Sequence, residues 1–326
     1  LRLFKETFVF VMLIKKADDK SKDIAMLQAL AARAEVSMDV RKKIDREIRN
    51  IQSGMKGEAE AAYEMEFHYG ASKNRMILHD LRLECDGRVA QIDHLVINRF
   101  LDMYVCESKR FAEGVAVNEQ GEFAAFFGGK PYGVPSPLEQ NRRHMAVLES
   151  VFKSGQVSPP KRLGFAIAPA LKGVVLVSKT ARISRPKAKI EGIEQVIKND
   201  QMKAWIDKDY DADNNPLLLA KLVSPATLED FARRLAAAHK PIAVDWAAKF
   251  GLAPVSPVQA VAPVKAGINQ ESVAQAAGDG KSSKLACSSC TTPVTYNIAK
   301  FCWVNKSRFG GKVFCMECQK GVPKPT

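Results

Sequence analysis

A chain of 326 residues, 46% hydrophobic and 26% charged, holds enough apolar material for one large or two ordinary folded domains, which excludes wholesale disorder. Its formal charge of +13 favours a polyanionic partner, nucleic acid before an anionic membrane surface, although solvated lysines account for many such excesses. No run approaches the ~20 apolar residues that span a bilayer, and seven cysteines, an odd number, do not make a secreted disulfide framework. A cytoplasmic protein with no membrane partner is expected.

The longest early apolar run, Phe8 to Ile14, faintly resembles a signal-peptide core, but Lys15, Lys16 and Asp18 follow it at once and no small-residue cleavage site appears. The chain begins at Leu1, and Met12 could serve as a native start. Residues 1–53 form an expected helical lead-in: Ile24, Leu27 and Leu30 share a stripe, and Ser37 is positioned to cap a second helix. No chemistry is expected there. A further helix is predicted over Gly57 to Tyr69, then three strands, Met76–Leu83, Val89–Ile97 and Met103–Lys109, separated by Cys85-Asp86-Gly87 and by Arg99 to Asp102. A Gly/Pro-rich passage, Phe127 to Pro137, leads into a helix from Leu138 to about Phe152. Val174–Ser178 reads as a buried strand, and helical patterns resume near Ile193 and Leu228. Residues 54–180 then make a core domain, 181–251 its helical extension, 252–284 an aperiodic flexible linker and 285–320 a cysteine module.

Side chains alternate along a strand, so Val105, Glu107 and Lys109 are expected on one face of the third strand, and Val89, Gln91, Asp93, Leu95 and Ile97 on one face of the second. His94 is expected on the opposite face, as a core or surface histidine. Glu58 shares a helix stripe with Ala62 and Met65. An isolated Glu-x-Lys is ordinarily a surface ion pair. Three carboxylates and a lysine within apolar elements suit a different role. Phosphodiester hydrolysis needs a divalent cation that neutralises the phosphate and acidifies water. Magnesium takes one or two carboxylate oxygens, which Asp93 and Glu107 supply, with the Ser108 carbonyl as a further oxygen. Lys109 would orient the attacking water or stabilise the transition state, and Glu58 would support a metal-bound water or a second ion. The remaining histidines, His68, His79, His144 and His239, show no metal spacing, and Gly128-Gly129 fits a turn near the site.

Gly57-Glu58, Gln91-Ile92-Asp93-His94, Glu107-Ser108-Lys109 and Glu139-Gln140 together resemble the nuclease-related domain, or NERD, over about residues 50–180. That family is similar to the PD-(D/E)xK restriction-endonuclease-like proteins; Ile92 stands where the older motif has proline. The resemblance implies a mixed sheet flanked by helices, an active site of Glu58, Asp93, Glu107 and Lys109 with Gln140 in support, and a magnesium- or manganese-dependent endonuclease, on DNA in preference to RNA.

In the tail, Cys287-x2-Cys290, twenty-four residues, then Cys315-x2-Cys318 supply four soft ligands in the closed pattern of a structural zinc site. From Lys281 onward there are eight Lys or Arg against the single acid Glu317, a net +7, so the tail stays basic at roughly +5 with zinc and four thiolates. Cys302 is expected in the small core, with most of Tyr296, Phe301, Trp303, Phe309 and Phe314; Lys300, Lys306, Arg308 and Lys312 are candidate nucleic-acid contacts. The module resembles zinc-ribbon or topoisomerase-type four-cysteine fingers. The expected architecture is thus α/β, a restriction-endonuclease-like mixed sheet flanked by helices, plus a small zinc-ribbon-like module. The rivals to a nuclease are a non-catalytic nucleic-acid-binding protein with a degenerate cleft and an adaptor whose finger docks proteins.

Overall fold

A computed structural model describes residues 12–70, 72–162, 164–212, 218–253, 285–294 and 296–323. The chain divides into two compact units, Leu1–Val258 and Gln259–Thr326. The expected linker lies outside the described residues from residue 254 onward, as does the start of the early apolar run.

The first unit opens with strand β1 (Leu13–Lys15), helix α1 (Ser21–Ala31) and helix α2 (Met38–Tyr69). Leu27 and Leu30 bury the predicted stripe, and the Ser37 hydroxyl accepts the Val40 N–H as the cap of α2. Where a break before Gly57 was expected, α2 runs unbroken for 32 residues. Glycine costs a helix about 1 kcal/mol. At 57, however, a Cβ would stand 3.1 Å from the Cβ of Arg110, so glycine allows the helix to lie against the end of a strand.

An antiparallel meander follows: β2 (Arg75–Cys85), β3 (Arg88–Asn98) and β4 (Asp102–Lys109). Asp86 and Gly87, at φ 51° and 70°, make the two-residue turn whose twist matches its strands. The chain then forms β5 (Gly114–Val117), β6 (Phe123–Phe127) and β7 (Lys130–Val134), three of the four strands of a small second sheet whose fourth, Arg182–Ser184, pairs with β5, before α3 (Pro137–Lys153). These three strands escaped the sequence reading because each is only four or five residues long and β7 is mostly exposed. Gly128-Gly129 forms the β6–β7 turn, its amides donating to the Glu113 carboxylate.

A short hairpin, β8 (Lys161–Arg162) and β9 (Phe165–Ala166), precedes β10 (Ala170–Val177), which pairs in parallel with β4 and buries Val174 to Val177. Such a continuous apolar run suits a strand covered on both faces. After β11 (Arg182–Ser184), the helix expected near Ile193 proves to be one 3-10 turn, Ile193–Gln195, running into β12 (Val196–Lys198). Helices α4 (Met202–Asp211), α5 (Leu218–Lys221), α6 (Pro225–Ala237) and α7 (Trp246–Lys249) complete the unit.

The main sheet is mixed, in the order β1-β2-β3-β4-β10-β12. On one face Ala61 and Met65 of α2 pack with Ile77, Val96 and Tyr104. On the other, Val147 and Leu148 of α3 and Phe231 of α6 pack with Leu78, Leu95 and Val105. A separate cluster joins Leu27, Leu30 and Ile44 to Trp246, so the lead-in and the C-terminal extension share a core. No described helix is long and apolar enough to cross a membrane. In the second unit, a bridge between Ala286 and Pro293 precedes α8 (Tyr296–Val304), α9 (Lys306–Phe309) and α10 (Met316–Lys320).

Candidate active site and metal centre

The β3–β4 ladder runs from Ile97↔Met103 to His94↔Cys106 and stops. One step further on, the Ser108 N–H donates to Asp93 Oδ2 at 2.7 Å. A carboxylate thus replaces a main-chain acceptor where the two strands part.

Here the simple alternation of faces also fails. Ile92 and Leu95 sit in the same core layer, as do Leu78 and Leu81 on the paired strand, and between the latter two Asp80 adopts φ 53°. The hairpin turns over at this point. Asp93 therefore does not share a face with Leu95 and Ile97, nor does His94 point away from it: both line a cavity with Glu58, Ala62 and Glu66 of α2. His94 is buried with its Nδ1 2.7 Å from that of His79, so a core histidine is what the structure places there.

The turnover leaves the constellation together. Glu58, Asp93, Glu107, Lys109 and Gln140 all line one cleft of about 380 Å³, where the C-terminal end of β4 parts from the middle of β3 between α2 and α3. Glu107 is only 2% exposed; its Oε1 takes Lys109 Nζ at 2.7 Å, its Oε2 lies 3.5 Å from His144 Nδ1, and Gln140 hydrogen-bonds it. Glu58 is held from the other side by Lys20 Nζ at 3.3 Å, which also reaches Asp80 at 3.9 Å. The 16–53 segment, expected to carry no chemistry, thus supplies Lys20, and Asn50 and Ser53 line the cleft. Nothing local marks Lys20, since its contact spans the whole of α1 and half of α2. His144 was more legible: it follows Gln140 by four residues on α3, one turn along the same face. Between them Asn141 donates to the carbonyls of Val105 and Val174, pinning α3 to β4 and β10 and so fixing both neighbours.

The charge balance of the cleft is one-sided. Burial raises the Asp93 carboxyl well above its usual range, and the charges of Glu107 and Glu58 push the same way; the Ser108 N–H and Lys109 oppose them. Burial also raises Glu107, against the pull of Lys109. Burial lowers His144 to about 4, helped by the charges of Lys109 and Arg143, so it stays neutral and adds no positive charge. Glu107 Oε2 finds no hydrogen-bond donor among the described residues. The half-buried Asp93 and the buried Glu107 thus share one ammonium group, and Glu107 carries a free acceptor. Among the described residues only the four tail cysteines bring three or more ligand atoms within 4.8 Å of one another. Glu58 therefore shares the cleft with Asp93 and Glu107 without all three carboxylates closing to that distance; an ion such as magnesium needs only one or two carboxylates.

Residues 53–176 match the nuclease-related domain family. The matched span contains Glu58, Asp93, Glu107, Lys109 and Gln140, whereas Lys20 and Asn50 lie outside it. No curated protein and no solved structure matches the chain.

Beyond the nuclease-related segment, the second unit gathers Cys287, Cys290, Cys315 and Cys318, with Cys290 and Cys315 Sγ 3.6 Å apart. The first knuckle is a tight turn in which the Thr291 N–H donates to the Cys287 carbonyl; the second begins with Cys315 as the cap residue of α10. The thiols are unequal. Burial raises Cys287, but N–H groups of Cys315, Cys290 and Ser289 outweigh it and bring the thiol to about 6. Hydrogen bonds with Cys315 and Cys290 push Cys318 up to about 12. Such a cluster cannot ionise fully without a cation, and four tetrahedral thiolates are what zinc requires. Cys302 stands outside the set, buried beside Ala299 and accepting from the Phe314 N–H and the Gln319 amide. Phe309 is buried between the rings of Phe301 and Phe314, while Phe301 and Trp303 are exposed. Of the candidate phosphate contacts, Lys306 and Lys312 are exposed, Arg308 donates to the carbonyls of Gln319 and Val322, and the side chain of Lys300 lies outside the described residues.

Proposed function

We propose that the first unit is an endonuclease that hydrolyses phosphodiester bonds with magnesium or manganese held by Asp93 and Glu107. The substrate is a nucleic acid, DNA in preference to RNA, and the zinc module adds contacts through Lys306 and Lys312, with Lys300 and Arg308 in its basic surround. The observation that carries this reading is the cleft's charge balance: Asp93 and Glu107 line one cleft with their carboxyl groups pushed up by burial and by neighbouring carboxylates, Glu107 and Glu58 acting on Asp93 and Glu58 on Glu107, beside one anchored lysine. A hard divalent cation answers that deficit, and when bound it would neutralise phosphate charge and make water a better nucleophile.

Each side chain has work to do around that group. Ser108 N–H fixes the Asp93 carboxylate, and Gln140 and Lys109 fix Glu107. Lys109, clamped by Glu107, presents its ammonium group to negative charge developing on the phosphate. Lys20 holds Glu58 at the rim. The preference for DNA rests on the family resemblance.

The test is incubation of the intact chain with single-stranded, duplex and branched DNA and with RNA, in magnesium, manganese or neither. Cutting should require a metal, and Lys109→Ala should slow it by about 10²–10³-fold with binding retained. Binding without cutting on every substrate would favour the degenerate-cleft protein. Weak, salt-insensitive binding would favour the adaptor.

A further inference from the structure

Two surfaces lead away from the cleft, and they differ in charge. The first, a hollow of about 610 Å³, shares Asn50, Gly54, Glu58 and Gln91 with the cleft, but its other lining sets Asp18, Asp19, Asp23 and Asp80 against Lys20 and Arg82, two cations already paired with Glu58 and Glu84. A polyanionic strand would be repelled there.

The other way out runs along α2. Counting back from the cleft residues Ser53 and Asn50, the positions on the same or the adjoining column of the helix are Arg49, Arg46 and Lys43. All three are exposed, and none has an ion-pair or hydrogen-bond partner among the described residues. Elsewhere cations on helices are commonly tied to an acid three or four residues away, as in Arg142–Glu139, Lys203–Asp207 and Arg233–Glu229. On α2 the spacings Asp39–Lys43 and Asp45–Arg49 would allow such pairs, yet neither forms. The apolar side of this stretch, Ile44, Ile48 and Ile51, packs into the cluster around Trp246, so the basic side faces solvent by construction. At the cleft itself Arg110 continues the line, its guanidinium donating to Ser53 Oγ.

We propose that the N-terminal half of α2 is a phosphate-tracking arm, along which the nucleic-acid strand leaves the cleft over Arg49, Arg46 and Lys43. The inference rests on the nuclease reading and adds the path of the substrate. From residue 43 to residue 53 the arm spans about 15 Å at 1.5 Å per residue. It precedes residue 53, where the family match begins, so the nuclease-related segment does not supply it. Arginine and lysine at these positions read no sequence; they position the backbone.

The test uses the full chain with calcium in place of magnesium, so that substrate is held uncut. Binding of a labelled single-stranded oligonucleotide is measured across a range of salt concentrations for the intact protein and for Lys43→Gln/Arg46→Gln/Arg49→Gln. A charge-matched control, Lys187→Gln/Lys189→Gln/Lys208→Gln, alters exposed cations elsewhere on the unit. Each phosphate contact contributes roughly 0.7 to the salt slope on a single strand, so the arm variant should bind with a slope shallower by about 2 and at least tenfold more weakly near 0.1 M salt. Its melting temperature reports that the fold is kept. The arm is overturned if its variant binds like the intact chain, or if the control loses as much. Failure of the intact chain to bind any nucleic acid overturns the nuclease reading together with the arm; an intact chain that binds and, in magnesium, cuts while the arm variant is unaffected overturns the arm alone.

Discussion

Asp93→Asn should abolish cutting, by on the order of 10³-fold or more, while making the metal-free protein more stable at neutral pH. The two halves have one cause. Burial and the charges of Glu107 and Glu58 raise the Asp93 carboxyl in the folded state, so the fold binds its proton more tightly than the unfolded chain does. A group of this kind opposes folding once pH rises above the unfolded value, near 3.9 for aspartate, and its cost grows until pH passes the raised folded value. Asparagine keeps the shape and can still accept the Ser108 N–H through its amide oxygen, but it carries no charge. Thermal unfolding without metal should therefore show a higher midpoint for Asp93→Asn than for the intact chain, by about 2–4 °C for each kcal/mol relieved. Added magnesium should raise the midpoint of the intact chain and leave the variant nearly unmoved, because only the former gains a ligand of the folded state. A variant that melts lower without metal would mean that the carboxylate is already compensated within the protein.

Loss of zinc should unfold the second unit and leave the first standing. The described residues of the tail bury Ala299, Cys302, Phe309 and Val313, with Cys287 among the ligands, a core far too small to hold a chain of this length by itself. Structural zinc supplies about 10–16 kcal/mol of apparent binding energy in comparable fingers, and in such modules that is folding energy. Metal analysis should find one zinc per chain, falling to none in Cys290→Ser/Cys315→Ser. Proteolysis should then cut the tail rapidly while the first unit remains resistant. A variant retaining zinc and a protected tail would remove the four-thiolate assignment. Acid should release the ion as well: thiolates must reprotonate, and Cys287, already near 6 without metal, should be the last to do so.

What the sequence disclosed, and what it hid, divides along the range of the interaction. The three strands β2, β3 and β4 were legible because their apolar runs and the Asp86-Gly87 turn are local signals, and the structure extends each by only one to three residues. Val174 onward was legible because a strand covered on both faces is apolar throughout. Asp93, Glu107 and Lys109 do line one cleft, though not by the strict alternation that the sequence suggests. Strict alternation was assumed along β3, whereas the left-handed Asp80 on the neighbouring strand turns the hairpin over and brings Asp93 and His94 to the same cavity. A residue's backbone angle is not written in the strand beside it. Lys20 was hidden for a plainer reason: its partner Glu58 lies 38 residues on, and a lysine in a charged segment looks like any other. The unbroken α2 was missed because Gly54 and Gly57 weaken a helix in isolation, and only the approach of Arg110 explains why glycine is wanted there. The second sheet has strands too short to rise above loop composition, and β7 is mostly exposed besides.

The most direct measurement is a single-turnover cleavage rate, with protein in excess over the most readily cut DNA, followed as magnesium is raised from zero. The intact chain should cut at a rate that starts at background and saturates with metal, while Glu107→Gln stays near background at every concentration and still binds the DNA. Cutting that ignores magnesium, or that survives Glu107→Gln undiminished, would contradict the assignment of Asp93 and Glu107 as the carboxylates that hold the ion.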